Sequence, residues 1–354
     1  MRTESFEFLR AIQETPSVSG FEQPVARLIR KRMKPYADKI TTDVHGNTIV
    51  VLNPKGTPRV MLAGHYYQIG LMVNHITDEG FLHFSAVGGI DAVILPGIRV
   101  TVHNKKGPVE GVIGRKPVHL LKPEERSQAK IEIADLWIDI GARKKNEANK
   151  MVSVADPITF KLGLDRLGKD YITSPGLDDK VGAFVVMEAL RLASKKKLKC
   201  ALYAVATVQE ELGLRGARTS CFGIDPQVGI AVDVTHASDY PGADKRITGD
   251  LALGKGVVIE QGANINPYVG QLLLNAAKKN KIPYQLSAAP NATGTDANVI
   301  QITRSGVAAG LVSIPNRYMH TPVEMCSLND LDNCAKLIAE TVDRIDGKMN
   351  FVPQ

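Results

Sequence analysis

Arg59-Val60-Met61-Leu62-Ala63-Gly64-His65 is a short run with a charged residue at its start, a histidine at its end and nothing polar between. A brief, unalternating apolar stretch predicts a strand buried on both faces, as in a parallel or mixed sheet covered by helices. The same texture returns at Cys200–Val208, Val228–Val234 and Val307–Ile314. Between these fall segments of helical spacing over Val181–Ala193, Val269–Lys279 and Leu328–Ile345, the last with Leu331, Ala335, Ile338 and Val342 on one side. Upstream, a helix is expected over Ser5–Gln13, a basic helix from about Glu22 to Lys34, and a strand-turn-strand over Asp43–Leu52 with Gly46-Asn47 as its turn. The alternation predicts an α/β fold with a mixed central sheet and helices on both faces.

From about Asn74 to Phe160 the texture changes. Short β-rich pieces (Gly80–Ala86, Arg99–His103, Val109–Ile113, Leu136–Ile140) alternate with glycine and proline breaks. This predicts a small all-β insert, a barrel or a sandwich. The expected organisation is a discontinuous α/β domain of residues 1–73 and 161–354, interrupted by a β-rich insert of residues 74–160.

At 354 residues, 44% hydrophobic and 23% charged, the composition excludes disordered, collagen-like and coiled-coil classes. The four cysteines (Cys200, Cys221, Cys326, Cys334) form no CxxC pair and are expected as reduced, mostly buried thiols of a cytoplasmic protein. Met1–Ile12 carries Glu4, Glu7 and Arg10 and lacks the apolar core of a secretion signal. No apolar run approaches the ~18 residues of a membrane span. The net charge is +7, but residues 1–70 hold 10 Lys+Arg against 6 Asp+Glu, and the excess lies largely in Arg27–Lys34, the solvated face of an amphipathic helix. Aromatics are 5% of the chain and none interleave with this charge, so neither nucleic acid nor a membrane is expected as a partner.

The chemistry-bearing residues cluster where strands end. His65 closes one buried strand, Glu210-Glu211 follow another, and Asp233 ends a third. Asp178-Asp179 sit just before the helix at Val181, and His320 lies a few residues past the strand ending at Ile314. Ligands of open α/β sheets bind at the carboxyl ends of the strands. Carboxylates gathered there repel one another unless cations lie between them. Histidine, aspartate and glutamate without cysteine suit zinc, cobalt or manganese. Singly, each residue has an ordinary structural explanation: Asp179 as a helix cap, Glu210-Glu211 as a solvated loop. Together they point to a metal site without naming its reaction.

Several stretches, in order over nearly the whole chain, resemble the tetrahedral (TET-type) aminopeptidases, dinuclear metallopeptidases also labelled endoglucanase or cellulase homologues or glutamyl aminopeptidase-like. They are Ser17–Glu22, Gly64–Val73, Leu177–Gly182, Val208–Ala217, Val232–Thr235 with Asp239–Gly242, Gly294–Ala297 and Arg317–Pro322. The resemblance implies that Asp178 bridges two divalent ions, zinc or cobalt, with manganese as the alternative. It implies that His65 and Asp233 complete one site and Glu211 and His320 the other, with Glu210 as general base on the bridging water. It also implies a cis peptide between Asp178 and Asp179, a supporting place for Asp179 and Asp296 near the site, and cleavage of N-terminal residues from short peptides. The insert would be a dimerisation domain, with dimers building a dodecamer. Another dinuclear-metal amide hydrolase or deacylase is the alternative within the same chemistry.

The chain departs from the family pattern after its first histidine: His65-Tyr66-Tyr67-Gln68 stands where His-x-Asp is usual. Residues i and i+2 of a strand share a face. An aspartate at position 67 would accept a hydrogen bond from the far imidazole nitrogen, and loss of such a partner typically costs ~10–100-fold in metal affinity or activity. Tyr67 is expected to supply a substitute hydrogen bond in an active enzyme. A weakly filled site of low activity, or a pseudoenzyme kept as an assembly subunit, are the other outcomes of this replacement. Gln68 is expected to point away from His65.

Overall fold

The computed structural model describes residues 1–121 and 131–354. The chain forms two compact units: Met1–Gln68 with Leu164–Met319 and Val323–Gln354, and Ile69–Gly163 with His320–Pro322.

The first unit is built on an eight-stranded mixed sheet. In spatial order its strands are Lys39–Thr42, Thr48–Leu52, Ala201–Thr207, Arg59–His65, Val228–His236, Ala308–Asn316, Val257–Gln261 and Tyr284–Ala288. The four central strands, from Ala201–Thr207 to Ala308–Asn316, run parallel, so their carboxyl ends meet on one edge. Side chains along Arg59–His65 divide with a period of two. Val60 and Leu62 join a core with the helices Thr3–Glu14, Gln23–Met33, Leu177–Ala193, Pro267–Asn280 and Leu328–Val342. Met61 and Ala63 join another with the helices Arg215–Ile224 and Ala297–Gln301. Burial on both faces is why this strand reads as continuously apolar.

A close approach positions the edge. A Cβ on Gly64 would come within 2.6 Å of the Gly182 backbone, so only a glycine lets this strand and the helix Leu177–Ala193 pack so tightly. That contact places the helix's first turn, with Asp178 and Asp179, beside the end of the strand that carries His65.

A separate three-stranded sheet (Asp165–Leu167, Tyr171–Ser174, Glu324–Ser327) completes the first unit. The second unit is a closed barrel of Gly70–Ile76, Leu82–Val87, Trp137–Asp139, Gly107–Gly114, Arg99–Asn104 and Pro157–Phe160, and its described residues include the short helix Lys145–Met151. Closure leaves no unpaired strand edge, one of the two arrangements open to the all-β stretch. Gly70–Ile76 pairs with barrel strands on both sides, so the apolar run after Gln68 belongs to the barrel rather than to the central sheet. No helix among the described residues is long and apolar enough to cross a membrane.

Candidate metal centre and family

The carboxyl edge of the central strands gathers His65, Asp178, Glu210 and Asp233, all buried. His65 is the last residue of its strand and pairs in register with Thr207, three residues before Glu210. Its Nε2 lies 3.2 Å from Asp178 Oδ1 and 3.8 Å from Glu210 Oε2. His65, Asp178 and Asp233 each present a ligand atom within 4.8 Å of the others, and so do His65, Glu210 and Glu211. His320 has a left-handed backbone (φ 61°) and lies in the short segment His320–Pro322, grouped with the barrel unit.

The loop bearing Glu210-Glu211 is tightly held. Gln209 adopts φ 53°, and the Glu210 carbonyl accepts the amides of Gly213 at 2.8 Å and Leu214 at 2.7 Å. Asn47, fully buried, accepts from the Val208 amide at 3.1 Å and donates to the Gly216 carbonyl at 3.0 Å, bracketing the loop at both ends. Asp178 is anchored through its backbone amide, which donates to the buried Glu324 carboxylate at 2.7 Å. The Asp178–Asp179 peptide is cis. Asp179 Oδ1 accepts the Gly182 amide at 3.0 Å, so this residue does cap the helix. Asp296 Oδ2 accepts from the Thr207 hydroxyl at 2.7 Å, tying its loop to the strand beside His65.

Tyr67 departs from expectation. Its ring stacks on the His65 imidazole, with centroids 4.5 Å apart and planes 26° from parallel. Its hydroxyl oxygen accepts the Glu211 amide instead of bonding to the imidazole. His65 Nδ1 consequently has no hydrogen-bond partner. The expected substitute hydrogen bond is not made: a phenol is too long to meet the imidazole it lies against, and its oxygen reaches past it to the loop. Gln68 points away from His65 as expected, accepting from Lys180 Nζ.

The electrostatics are those of a buried cluster of acids around one imidazole. Burial pushes the Glu210 carboxyl up to about 10, with His65 working against this and Asp233, Asp296 and Asp178 adding to it. Burial likewise raises Asp233 and Asp179 well above the usual carboxylate range, and raises Asp296. Burial alone would lower His65, but its bond to Asp178 and the charges of Asp179, Glu210 and Asp233 prevail and raise it well above its ordinary value. Three buried atoms here, His65 Nδ1, Asp179 Oδ2 and Asp296 Oδ1, lack partners. An imidazole and several carboxylates, no thiolate, and mutual repulsion among the acids are what a divalent cation would satisfy. The residues fit such an ion.

Lys180, Asn47 and Glu324 escaped the sequence reading. Lys180 is fully buried, donating to the carbonyls of Gln13 at 3.2 Å and Thr15 at 2.9 Å, and burial lowers its ammonium to about 7 despite Glu324. A lysine directly after two aspartates ordinarily reads as a solvated charge, so no local signal marks it.

The M42 glutamyl aminopeptidase family model matches residues 46–337. The chain belongs to this family. It is 40% identical over 351 residues to lysyl aminopeptidase of Pyrococcus furiosus, covering 98% of this chain and 99% of that protein. Among solved structures it resembles a TET aminopeptidase from a marine-sediment thaumarchaeon (TM-score 0.93, 35% identity, 98% of each chain). It also resembles the Pyrococcus horikoshii TET1 peptidase, described as assembling into a tetrahedron or a large octahedral shell (TM-score 0.86, 34% identity, 96% of this chain and 100% of that one). This M42 protein is a metal-dependent aminopeptidase, a hydrolase acting on peptides.

Proposed function

We propose that this M42 aminopeptidase removes N-terminal residues from short peptides at a dinuclear centre, with His65, Asp178 and Asp233 holding one divalent ion and Asp178, Glu211 and His320 the other. The observation that carries this reading is the buried convergence of His65, Asp178 and Asp233 beside Glu210. Paired divalent ions, when bound, acidify water and polarise the scissile carbonyl. Zinc or cobalt suits this donor set, with manganese as a third option.

Glu210 acts as the general base, accepting a proton from the attacking water and delivering it to the leaving amine. Burial raises the Glu210 carboxyl in the bare chain, and the neighbouring acids Asp233, Asp296 and Asp178 add to it. With a divalent cation beside it, Glu210 would lose the acids' contribution and favour the ionised carboxylate, the form that acts as a base. Asp179 caps the helix carrying Asp178, and Asp296 braces the strand beside His65 through Thr207, so both support the centre without joining it.

Self-association into dimers, through the barrel, and then a dodecamer is part of the proposal. The dodecamer described for a related TET1 structure and the tetrahedral or octahedral shell of the Pyrococcus horikoshii peptidase support assembly. A cytoplasmic setting fits four buried cysteines that form no disulfide. The test is hydrolysis of aminoacyl-p-nitroanilides. Chelation should abolish it, and cobalt or zinc should restore it with about two ions per chain. Turnover that survives exhaustive chelation overturns the proposal.

A further inference from the structure

Tyr67 is fully buried, two residues beyond His65, and makes two contacts of different kinds. Its ring lies against the His65 imidazole at 4.5 Å, and its hydroxyl oxygen accepts the backbone amide of Glu211. The geometry points to Tyr67 as a positioning residue that ties the strand-end imidazole to the loop carrying Glu210 and Glu211. The inference rests on the dinuclear reading above and adds to it a residue that touches neither metal nor substrate.

Metal-binding imidazoles are ordinarily oriented by a hydrogen bond from the far nitrogen to an acceptor, which sets ring plane and tautomer together. Here the far nitrogen, Nδ1, is buried and unpartnered. Stacking replaces half of that control, because a flat ring pressed on another restricts its plane. The tautomer is left to the groups on the opposite side, where Asp178 Oδ1 stands 3.2 Å from Nε2. The hydroxyl has a second effect, which a short acceptor at position 67, bonded to the imidazole, would not have. It holds the amide of Glu211, in a loop that Asn47 restrains at Val208 and Gly216 and that the Glu210 carbonyl closes on Gly213 and Leu214. One side chain thus couples the orientation of His65 to the placement of Glu211.

Two substitutions separate the ring contact from the hydroxyl contact. Tyr67→Phe keeps the ring and deletes the acceptor, whereas Tyr67→Leu deletes both. In chelator-treated protein, hydrogen exchange followed by mass spectrometry should show the peptide containing Glu211 exchanging roughly tenfold faster in Tyr67→Phe, the protection owed to one hydrogen bond. Exchange in the strand Ala201–Thr207 should stay unchanged. Cobalt affinity by calorimetry should fall about tenfold in Tyr67→Phe and further in Tyr67→Leu. The visible spectrum of the cobalt-loaded protein should shift in Tyr67→Leu alone, because only that variant frees the imidazole plane. Tyr67→Phe that exchanges and binds cobalt like the parent overturns the inference. A parent that binds no cobalt, with the exchange difference intact, removes the dinuclear reading and leaves the tie between Tyr67 and Glu211 standing.

Discussion

Asp178 Oδ1 stands 3.2 Å from His65 Nε2, and both side chains are almost wholly buried. Burial alone would lower the imidazole's pKa, but this contact and the charges of Asp179, Glu210 and Asp233 raise it well above its ordinary value. A metal ion needs the neutral ring and ionised carboxylates, so it must displace protons. Cobalt binding should therefore release protons and tighten as pH rises. Calorimetry in buffers of different ionisation enthalpy measures the number released, and an enthalpy independent of buffer would refute this.

The same protons set the pH dependence of metal-free stability. Asp179, Asp233 and Glu210 hold raised pKa values in the native state, against about 4 in an unfolded chain. With these groups the native state binds more protons than the unfolded one, so their contribution to stability is full below about pH 4 and is lost as pH rises. Lys180, lowered to about 7, acts in the opposite sense above that pH, which makes the interval from about pH 5 to 7 the clean one. The melting temperature of chelated protein should drop by several degrees across it, while the metal-loaded protein stays nearly level.

Glu210→Gln should retain bound metal and lose activity by about 10²–10⁴-fold, the usual contribution of a positioned base. Metal analysis and p-nitroanilide hydrolysis on one preparation check both halves. Loss of metal together with activity would instead assign Glu210 to the ligand set.

Tyr67→Asp introduces a carboxylate on the face of His65 and offers Nδ1 the acceptor it lacks. The added charge beside a cation should outweigh the lost Glu211 contact, raising cobalt affinity about tenfold. An unchanged dissociation constant would show that Nδ1 needs no partner.

Gly64→Ala tests the packing that brings Asp178 to His65. Its methyl would meet the Gly182 backbone at 2.6 Å, and both elements are held by the core. Overpacking of this kind costs about 1–3 kcal/mol, readable as a lower denaturation midpoint. Activity should fall as well, since the helix carries Asp178.

Local sequence was sufficient for the central parallel strands, because burial on both faces leaves a signature in the strand itself. Arg59–His65 shows it most clearly, and its histidine fell at the strand end, where ligands gather. The edge strand Tyr284–Ala288 carries no such mark: Leu286 is 56% exposed, and the strand pairs on one side with Val257–Gln261. The pairing of Tyr171–Ser174 with Glu324–Ser327 joins segments about 150 residues apart, beyond any local pattern. His65, Glu210 and Asp233 were legible for the same reason as the strands, since charge at the end of an apolar run is conspicuous in one dimension. The reach of Tyr67 past His65 to Glu211, the burial of Lys180 and the bracing by Asn47 were decided only in three dimensions. Each depends on a partner brought close by packing, and a side chain's partners follow from distance in space rather than along the chain.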